Sequence, residues 1–272
     1  MGVLNATPDS FSDGGQLPTP QAVVDRARTL LEEGADVLDL GGESTRPNAA
    51  PVTAAVELMR VLPALAALRK SFPDTPISID TYKAEVAKVA VRAGADIVND
   101  VWGCAYGLGK KQRRAAKLPP SPMAETVAKL RCPVILMHNR PEPKYADFWK
   151  DVLDDLEMSV TLARNAGVKK NQIWLDPGFG FAKDAAQNLE VLKNLGRIVE
   201  LGFPVLLGTS RKSTIGRVLG DAPAGERLEG TAATLVWGIQ QGCAMVRGHE
   251  VAPLRKFIRM ADAVKAGNKW QS

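Results

Sequence analysis

Ile77-Ser78-Ile79-Asp80 is followed by an amphipathic stretch over 83–93, then by Gly94-Ala95-Asp96 and Ile97-Val98-Asn99. Both apolar runs are rich in β-branched residues, as buried parallel strands are. Both end on a polar side chain. Gly94 stops the helix between them, and the next residues begin a strand. The same joint, Gly-Ala-Asp, stands at 34–36, and Gly-Cys-Ala stands at 242–244. Asp39 closes the run 37–39, and Asp176 closes 173–176. Polar strand ends in series, with helices between them, predict one polar pocket above a ring of strands. The expected fold class is α/β, a single (β/α)8 (TIM) barrel domain over 1–272. An open doubly wound sheet is the alternative. The first βα loop lacks the Gly-x-Gly-x-x-Gly pattern of a dinucleotide fold.

The pattern extends in both directions. Strands are expected at 2–5, 36–40, 77–80, 95–99, 134–137, 173–175, 205–207 and 244–246. Helices are expected at 21–33, 54–70, 83–93, 147–165, 187–201, 212–219, 225–240 and 251–266. Residues 107–122, GLGKKQRRAAKLPPSP, show no periodicity and hold a basic run over 110–114. They read as a surface insertion in the fourth βα region, with a lid or anion-steering element as the alternative.

Bulk properties narrow the function. A chain of 272 residues, 45% hydrophobic and 24% charged, suits one barrel with a sizeable core. A net charge of +5 points to anionic partners. Aromatics make up only 6% and do not interleave with the basic residues, which argues against nucleic acid. Cys104, Cys132 and Cys243 lie far apart without metal-ligand spacing, so they read as free thiols of a reducing compartment. No stretch reads as a membrane span or signal peptide, so the expected location is cytoplasmic, with no membrane partner.

The strand ends carry the chemistry. Arg247 and His249 flank Gly248 after strand eight, and Arg46 lies in the second βα loop. Together these cations match a diphosphate, although a lone arginine at a strand end is often only a surface ion pair. Ser210-Arg211-Lys212 opens a helix after strand seven. That is a phosphate-binding position in barrels, or simply a helix start with Ser210 as N-cap. Asp176-Pro-Gly-Phe-Gly-Phe181 places a carboxylate before two glycines that admit a flat ligand close to the backbone. Such a carboxylate can read an aminopyrimidine edge, and Asn99 another. The plainer reading of each is a cap or turn residue.

Eight motifs in order resemble the dihydropteroate synthase family of pterin-binding TIM barrels. They are 1–15 (MGVLNATPDSFSDGG), 41–47 (GGESTRP), 78–81 (SIDT), 99–103 (NDVWG), 137–138 (MH), 176–181 (DPGFGF), 208–213 (GTSRKS) and 247–249 (RGH). The resemblance implies that 4-aminobenzoate displaces diphosphate from (7,8-dihydropterin-6-yl)methyl diphosphate by a dissociative, SN1-like route. The product is 7,8-dihydropteroate, a step of folate biosynthesis. It implies a Mg2+ cofactor, a homodimer, and a sulfonamide target or a sulfonamide-resistant form of one.

Carried onto this chain, Asp80, Asn99, Asp176, Lys212, Phe181 and Met137 resemble the pterin-pocket residues. Asn5, Thr45, Arg46, Arg247 and His249 resemble the diphosphate residues, with Asn5 touching the metal. Phe11, Pro47, Ser210 and Arg211, with Thr45 and Arg46 at the border, resemble the 4-aminobenzoate pocket. Asp13 resembles the residue that steadies the pterin cation, so Asp13, Arg46 and Lys212 are the implied catalytic set. The chain departs from the family in three places. It begins at the first strand, where the family usually carries a short N-terminal lead. Glu250 stands where Arg-x-His is usually followed by Asp, and 107–121 is an unusual insertion. A methyltetrahydrofolate methyltransferase and a catalytically silent pterin-binding protein are the rival readings. The first would not need Ser210-Arg211-Lys212. The loops 7–15 and 41–51 are rich in Gly, Pro and Ser and lack periodicity, so they are expected to move when the site is empty.

Overall fold

The computed structural model describes residues 1–7, 19–44 and 50–270. Its strands are β1 Gly2–Asn5, β2 Leu38–Gly41, β3 Ile77–Asp80, β4 Ile97–Asp100, β5 Val134–Met137, β6 Ile173–Asp176, β7 Leu206–Leu207 and β8 Met245–Val246. β1 to β6 form one parallel sheet in sequence order, and β7 and β8 form a parallel pair. Single bridges join the two pieces, Leu175 to Val205 and Gly2 to Gly248. Backbone hydrogen bonds lie at both seams. The Leu175 N–H donates to Pro204 O at 2.9 Å, and the Val3 N–H donates to Gly248 O at 3.1 Å. The ring closes on itself and leaves no open edge. The expected (β/α)8 barrel is the observed one.

Register explains why polar strand ends converge. Asn5 pairs with Gly41, Gly41 with Asp80, Asp80 with Asn99, Asn99 with Ile135 and Ile135 with Trp174. Paired residues of parallel strands share a face, so this row runs around the barrel interior. The alternate positions, including Leu4, Leu38, Leu40, Ile77 and Ile79, are fully buried. They belong to the main apolar cluster together with helix residues such as Leu30, Leu65 and Val86. One set of positions therefore packs the barrel against its helices, and the other is available to the site.

Local signals set the helix boundaries. Thr19, Thr53 and Asp147 each cap the helix that follows with a side-chain oxygen. Gly34, Gly94 and Gly242 take φ of 100°, 118° and 105° at the repeated helix-to-strand joint. That left-handed geometry costs a glycine little.

Three expectations are corrected. A helix, Pro122–Leu130, follows the fourth strand where none was expected. Ser121 starts it by accepting from the Ala124 N–H at 3.2 Å, while its own hydroxyl donates to Cys104 O at 2.6 Å. The single helix expected over 187–201 is two, Ala185–Lys193 and Gly196–Val199. Asn194 and Gly196, both weak helix formers, stand at the break. The segment 107–122 is also not all solvated loop. It holds the short helix Lys110–Arg113. The Arg113 guanidinium donates to Leu108 O, Asn139 O and Ala105 O at 3.1–3.2 Å.

Cys104, Cys132 and Cys243 are free, as expected, and the first two are buried. Among the described residues, no helix is long and apolar enough to cross a membrane.

Leu40 fixes the worth of the outward set. Leu40→Ala removes a fully buried side chain and is expected to cost about 2–5 kcal/mol. Urea unfolding followed by circular dichroism reads this as a lower midpoint, and an unchanged midpoint would contradict the packing described.

Candidate active site at the barrel mouth

A cavity of about 700 Å³ opens at the C-terminal ends of the strands. Asn5, Asp80, Phe181, Ser210, Arg211, Lys212, Arg247 and His249 line it, with Thr7, Glu43 and Ser44 at the first two loops. Its floor is ionic. Arg247 Nε donates to Asp39 Oδ2 at 2.6 Å, and Nη2 donates to Asp80 Oδ2 at 3.0 Å. Asn99 Nδ2 donates to the same Asp39 oxygen at 3.2 Å. Asp39 is fully buried, and its Oδ1 and the Oδ1 of Asp80 have no partner among the described residues. A buried acceptor without a donor is costly, so the unpaired oxygen of Asp80 has capacity for one more N–H. Burial, then the nearby Asp39, pushes the Asp80 carboxyl up to about 7, against the pull of Arg247.

The loop after β6 forms a second polar edge. Asp176 Oδ1 accepts from the Gly178 N–H at 2.6 Å. Burial raises its carboxyl to about 6. Gly178 and Gly180 have φ of 64° and 83°. A Cβ on Gly178 would stand 1.9 Å from His138 O, so only glycine fits. Lys212 lies across from this loop, its Nζ 4.2 Å from the centre of the Phe181 ring. Burial and then Arg247 lower its ammonium to about 8. Phe181, Lys212 and Asp176 thus bring an aromatic face, a donor and a carboxylate close together.

The loops after β7 and β8 supply the anion-facing wall. Ser210 Oγ lies 2.9 Å from His249 Nδ1 and also accepts from the His249 N–H at 3.2 Å. Ser210 is therefore not the N-cap of the next helix. Lys212 holds that place before Ser213–Val218, and the Ser210 hydroxyl instead ties the two loops together. Arg211 takes a left-handed φ of 61°, and its Nε and Nη2 both reach Glu250 Oε1, at 2.7 and 2.5 Å. Glu250 is thus the residue that holds Arg211 at the rim.

The structure brings most predicted residues together. Asn5, Asp80, Phe181, Ser210, Arg211, Lys212, Arg247 and His249 share the cavity, while Asn99, Met137 and Asp176 are buried at their strand ends. Phe11, Asp13, Thr45, Arg46 and Pro47 lie outside the described residues. Arg247 is a floor residue bonded to two carboxylates rather than a free strand-end cation. The two histidines part company. His249 faces the cavity, whereas His138 is fully buried beside Lys183 and Asp155. Sequence reasoning missed Lys183 and the Glu250–Arg211 pair. It placed Asp39 at a strand end but did not see its bond to Arg247. Among the described residues, no group of three or more His, Cys, Asp or Glu could hold a metal ion.

A closed barrel with an acidic floor, an aromatic shelf and a cationic wall defines an enzyme acting on a flat heterocycle that carries an anionic group. The pterin binding enzyme family matches residues 1–249, and this chain belongs to it. The dihydropteroate synthase of Bacillus subtilis is 48% identical over 264 residues, covering 97% of this chain and 87% of that protein. The crystal structure of dihydropteroate synthase from Clostridium difficile in the presence of pteroic acid superposes with a TM-score of 0.88. It shares 45% identity and covers 97% of this chain and 95% of that one. The Xanthomonas albilineans enzyme with 4-aminobenzoic acid also has a TM-score of 0.88, at 40% identity, covering 98% and 92%.

The Asp80 carboxyl and the Lys212 ammonium make stability depend on pH with opposite signs. Asp80 titrates near 3.8 unfolded and about 7 folded, so between these values the native state holds the extra proton. Its contribution is lost as pH rises through that window. Lys212 is displaced from 10.5 to about 8, so there the unfolded state holds the extra proton and stability rises with pH. Asp80→Asn is expected to flatten the first slope and, by removing a carboxylate that favours the Lys212 ammonium, to extend the second to lower pH. Melting temperature against pH from 4 to 10 tests this, and parallel curves for the variant and wild type would refute it.

Proposed function

We infer that this cavity joins (7,8-dihydropterin-6-yl)methyl diphosphate to 4-aminobenzoate, giving 7,8-dihydropteroate and diphosphate. This is the dihydropteroate synthase reaction of folate biosynthesis. The observation that carries the reading is one cavity that combines a ring-reading edge with an anion wall. Asp80, Lys212 and Phe181 form the edge, with Asp176 buried at the strand end behind them, and Ser210 and His249 form the wall above the Arg247 floor. Near-full-length kinship to dihydropteroate synthases at 46% and 48% identity supports it. A methyltetrahydrofolate methyltransferase would share the edge but would not need Ser210, Arg211 and His249.

The residues divide the work. Asp176 and Asp80 accept N–H groups of the aminopyrimidine, and Asn99 and Met137 complete the pocket. Lys212 donates to the ring from the opposite side, above Phe181. Arg247 and His249 hold the diphosphate and so make it a better leaving group. The C–O bond breaks ahead of attack, and the floor carboxylates offset the charge left on the pterin carbon. The arylamine, a weak nucleophile, then adds to that cation. Ser210 and Arg211, with Phe11, Thr45, Arg46 and Pro47, seat the benzoate, and Asp13 steadies the cation from the first loop.

Mg2+ suits this donor set. It is bound through one or two protein oxygens plus substrate phosphates, without a carboxylate cage. Asn5 offers one such oxygen at the cavity wall, next to Gly41. Bound there, the ion would neutralise diphosphate charge. A homodimer and a cytoplasmic location are part of the same reading. Trp237, Phe257 and Met260 support the dimer: they are exposed on the adjoining helices Leu228–Gln240 and Val251–Ala266.

Diphosphate release is the direct test. It should require 4-aminobenzoate, and release at the same rate without it would exclude the synthase reading. Asp176→Asn and Lys212→Ala should each weaken pterin binding by about 1.5–3 kcal/mol in calorimetry. Wild-type affinity in either variant would remove that residue from the pocket.

Binding order follows from the two Gly/Pro/Ser-rich loops read in the sequence. Arg46 needs an anion to hold it and Asn5 a metal, so Mg-diphosphate supplies contacts that favour a closed state. 4-Aminobenzoate and sulfonamides should bind weakly to the free enzyme and tightly once pterin and Mg-diphosphate are present. Equal affinity with and without Mg-diphosphate would show that the pocket is preformed.

A further inference from the structure

Lys183 lies just past the pterin-facing loop, and its ammonium turns back beneath it. Nζ is 2.8 Å from His138 Nδ1, 3.1 Å from Gly178 O and 3.2 Å from Phe181 O. An ammonium has three N–H donors, and three acceptors use all of them. The acceptors are of the right kind. Burial drives His138 down to about 3, so its ring is neutral and Nδ1 can accept. The Nε2 proton then faces Asp155 Oδ2, 3.4 Å away. Arg140 holds Asp155 at 2.5 Å and Asp151 at 3.0 Å. A chain of polar contacts thus runs from the helix Phe148–Asn165 through His138 to the underside of the loop.

That loop needs holding. Gly178, Gly180 and Ala182 all have positive φ, and Ala182, at 47°, has no glycine to relieve it. Lys183 Nζ bridges the first and last carbonyls of the Gly178–Phe181 turn. Tyr145 donates to Ala182 O at 2.7 Å and Asn188 accepts from the Gly180 N–H at 2.7 Å, fixing the flanks. The loop begins at Asp176 and carries the ring on which Lys212 rests.

We propose that Lys183 is a positioning residue for pterin recognition: clamped to His138, it sets the height of the Gly178–Phe181 turn and so places the Asp176 carboxylate and the Phe181 ring. Lys183 acts through these groups without touching the reacting atoms. The inference rests on the pterin diphosphate being the substrate.

The test is Lys183→Met, which keeps the length of the side chain and removes the ammonium. The pterin Kd by calorimetry and the pterin-diphosphate KM are expected to rise roughly ten- to hundredfold. The 4-aminobenzoate KM at saturating pterin is expected to stay at the wild-type value. A purely structural lysine would lower the fraction of active enzyme, reducing kcat with both KM values unchanged, and that result would overturn the proposal. Should the variant not fold, the wild-type enzyme decides. Pterin binding is expected to slow proton exchange at the Lys183 ammonium in 15N NMR, and exchange indifferent to pterin would contradict the clamp. Calorimetry reads pterin binding without turnover. A chain that bound pterin but made no dihydropteroate would therefore fail the reaction and leave the clamp standing.

Discussion

Arg247 is the charge on which the mouth of the barrel depends. Its guanidinium holds Asp39 through Nε and Asp80 through Nη2, and Asp39 passes the constraint on to Asn99. Three carboxylates, Asp39, Asp80 and Asp176, meet two cations, Arg247 and Lys212, in a region largely closed to water. Breaking such a buried pair from one side typically costs about 3–5 kcal/mol, because the charge left behind has no solvent to turn to. Burial, and after it the nearby Asp39, keeps Asp80 partly protonated near neutral pH.

The same guanidinium shows where reading a sequence stops. Strand ends at Asp39, Asp80, Asn99 and Asp176 were legible, because period and strand length are local properties. That Arg247 would lie between two of them was not, since the partners are 208 and 167 residues away and meet only when the ring closes. The helix Pro122–Leu130 was hidden by the proline-rich run before it, which reads as loop although Ser121 and Pro122 make an ordinary helix start. Both histidines follow strands, yet one faces the cavity and the other is sealed behind it. Nothing in the sequence separates them, because burial is decided by the neighbouring helix. Lys183 was missed for the same reason: its neighbours in sequence do not include the imidazole that it meets.

Glu250 illustrates a departure from family pattern that has a visible partner. Its longer side chain reaches Arg211 at the rim, and Arg211 sits in a backbone conformation that non-glycine residues seldom adopt. Arg227 supports the same segment by donating to Arg211 O at 2.8 Å. The wall beside the proposed benzoate seat is therefore held from two sides.

The alternation along each strand has a consequence for how such a protein changes over time. Leu4, Leu38, Leu40, Ile77 and Ile79 pack with the helices, whereas Asn5, Asp39, Ser78, Asp80 and Asn99 face the barrel interior. The two sets interleave residue by residue on opposite faces of the strands. Mutation in one leaves the other's requirements intact, so selection can revise the chemistry in small steps on a scaffold whose folding is already secured. A library built for new activity should draw its variable codons from the inward row alone.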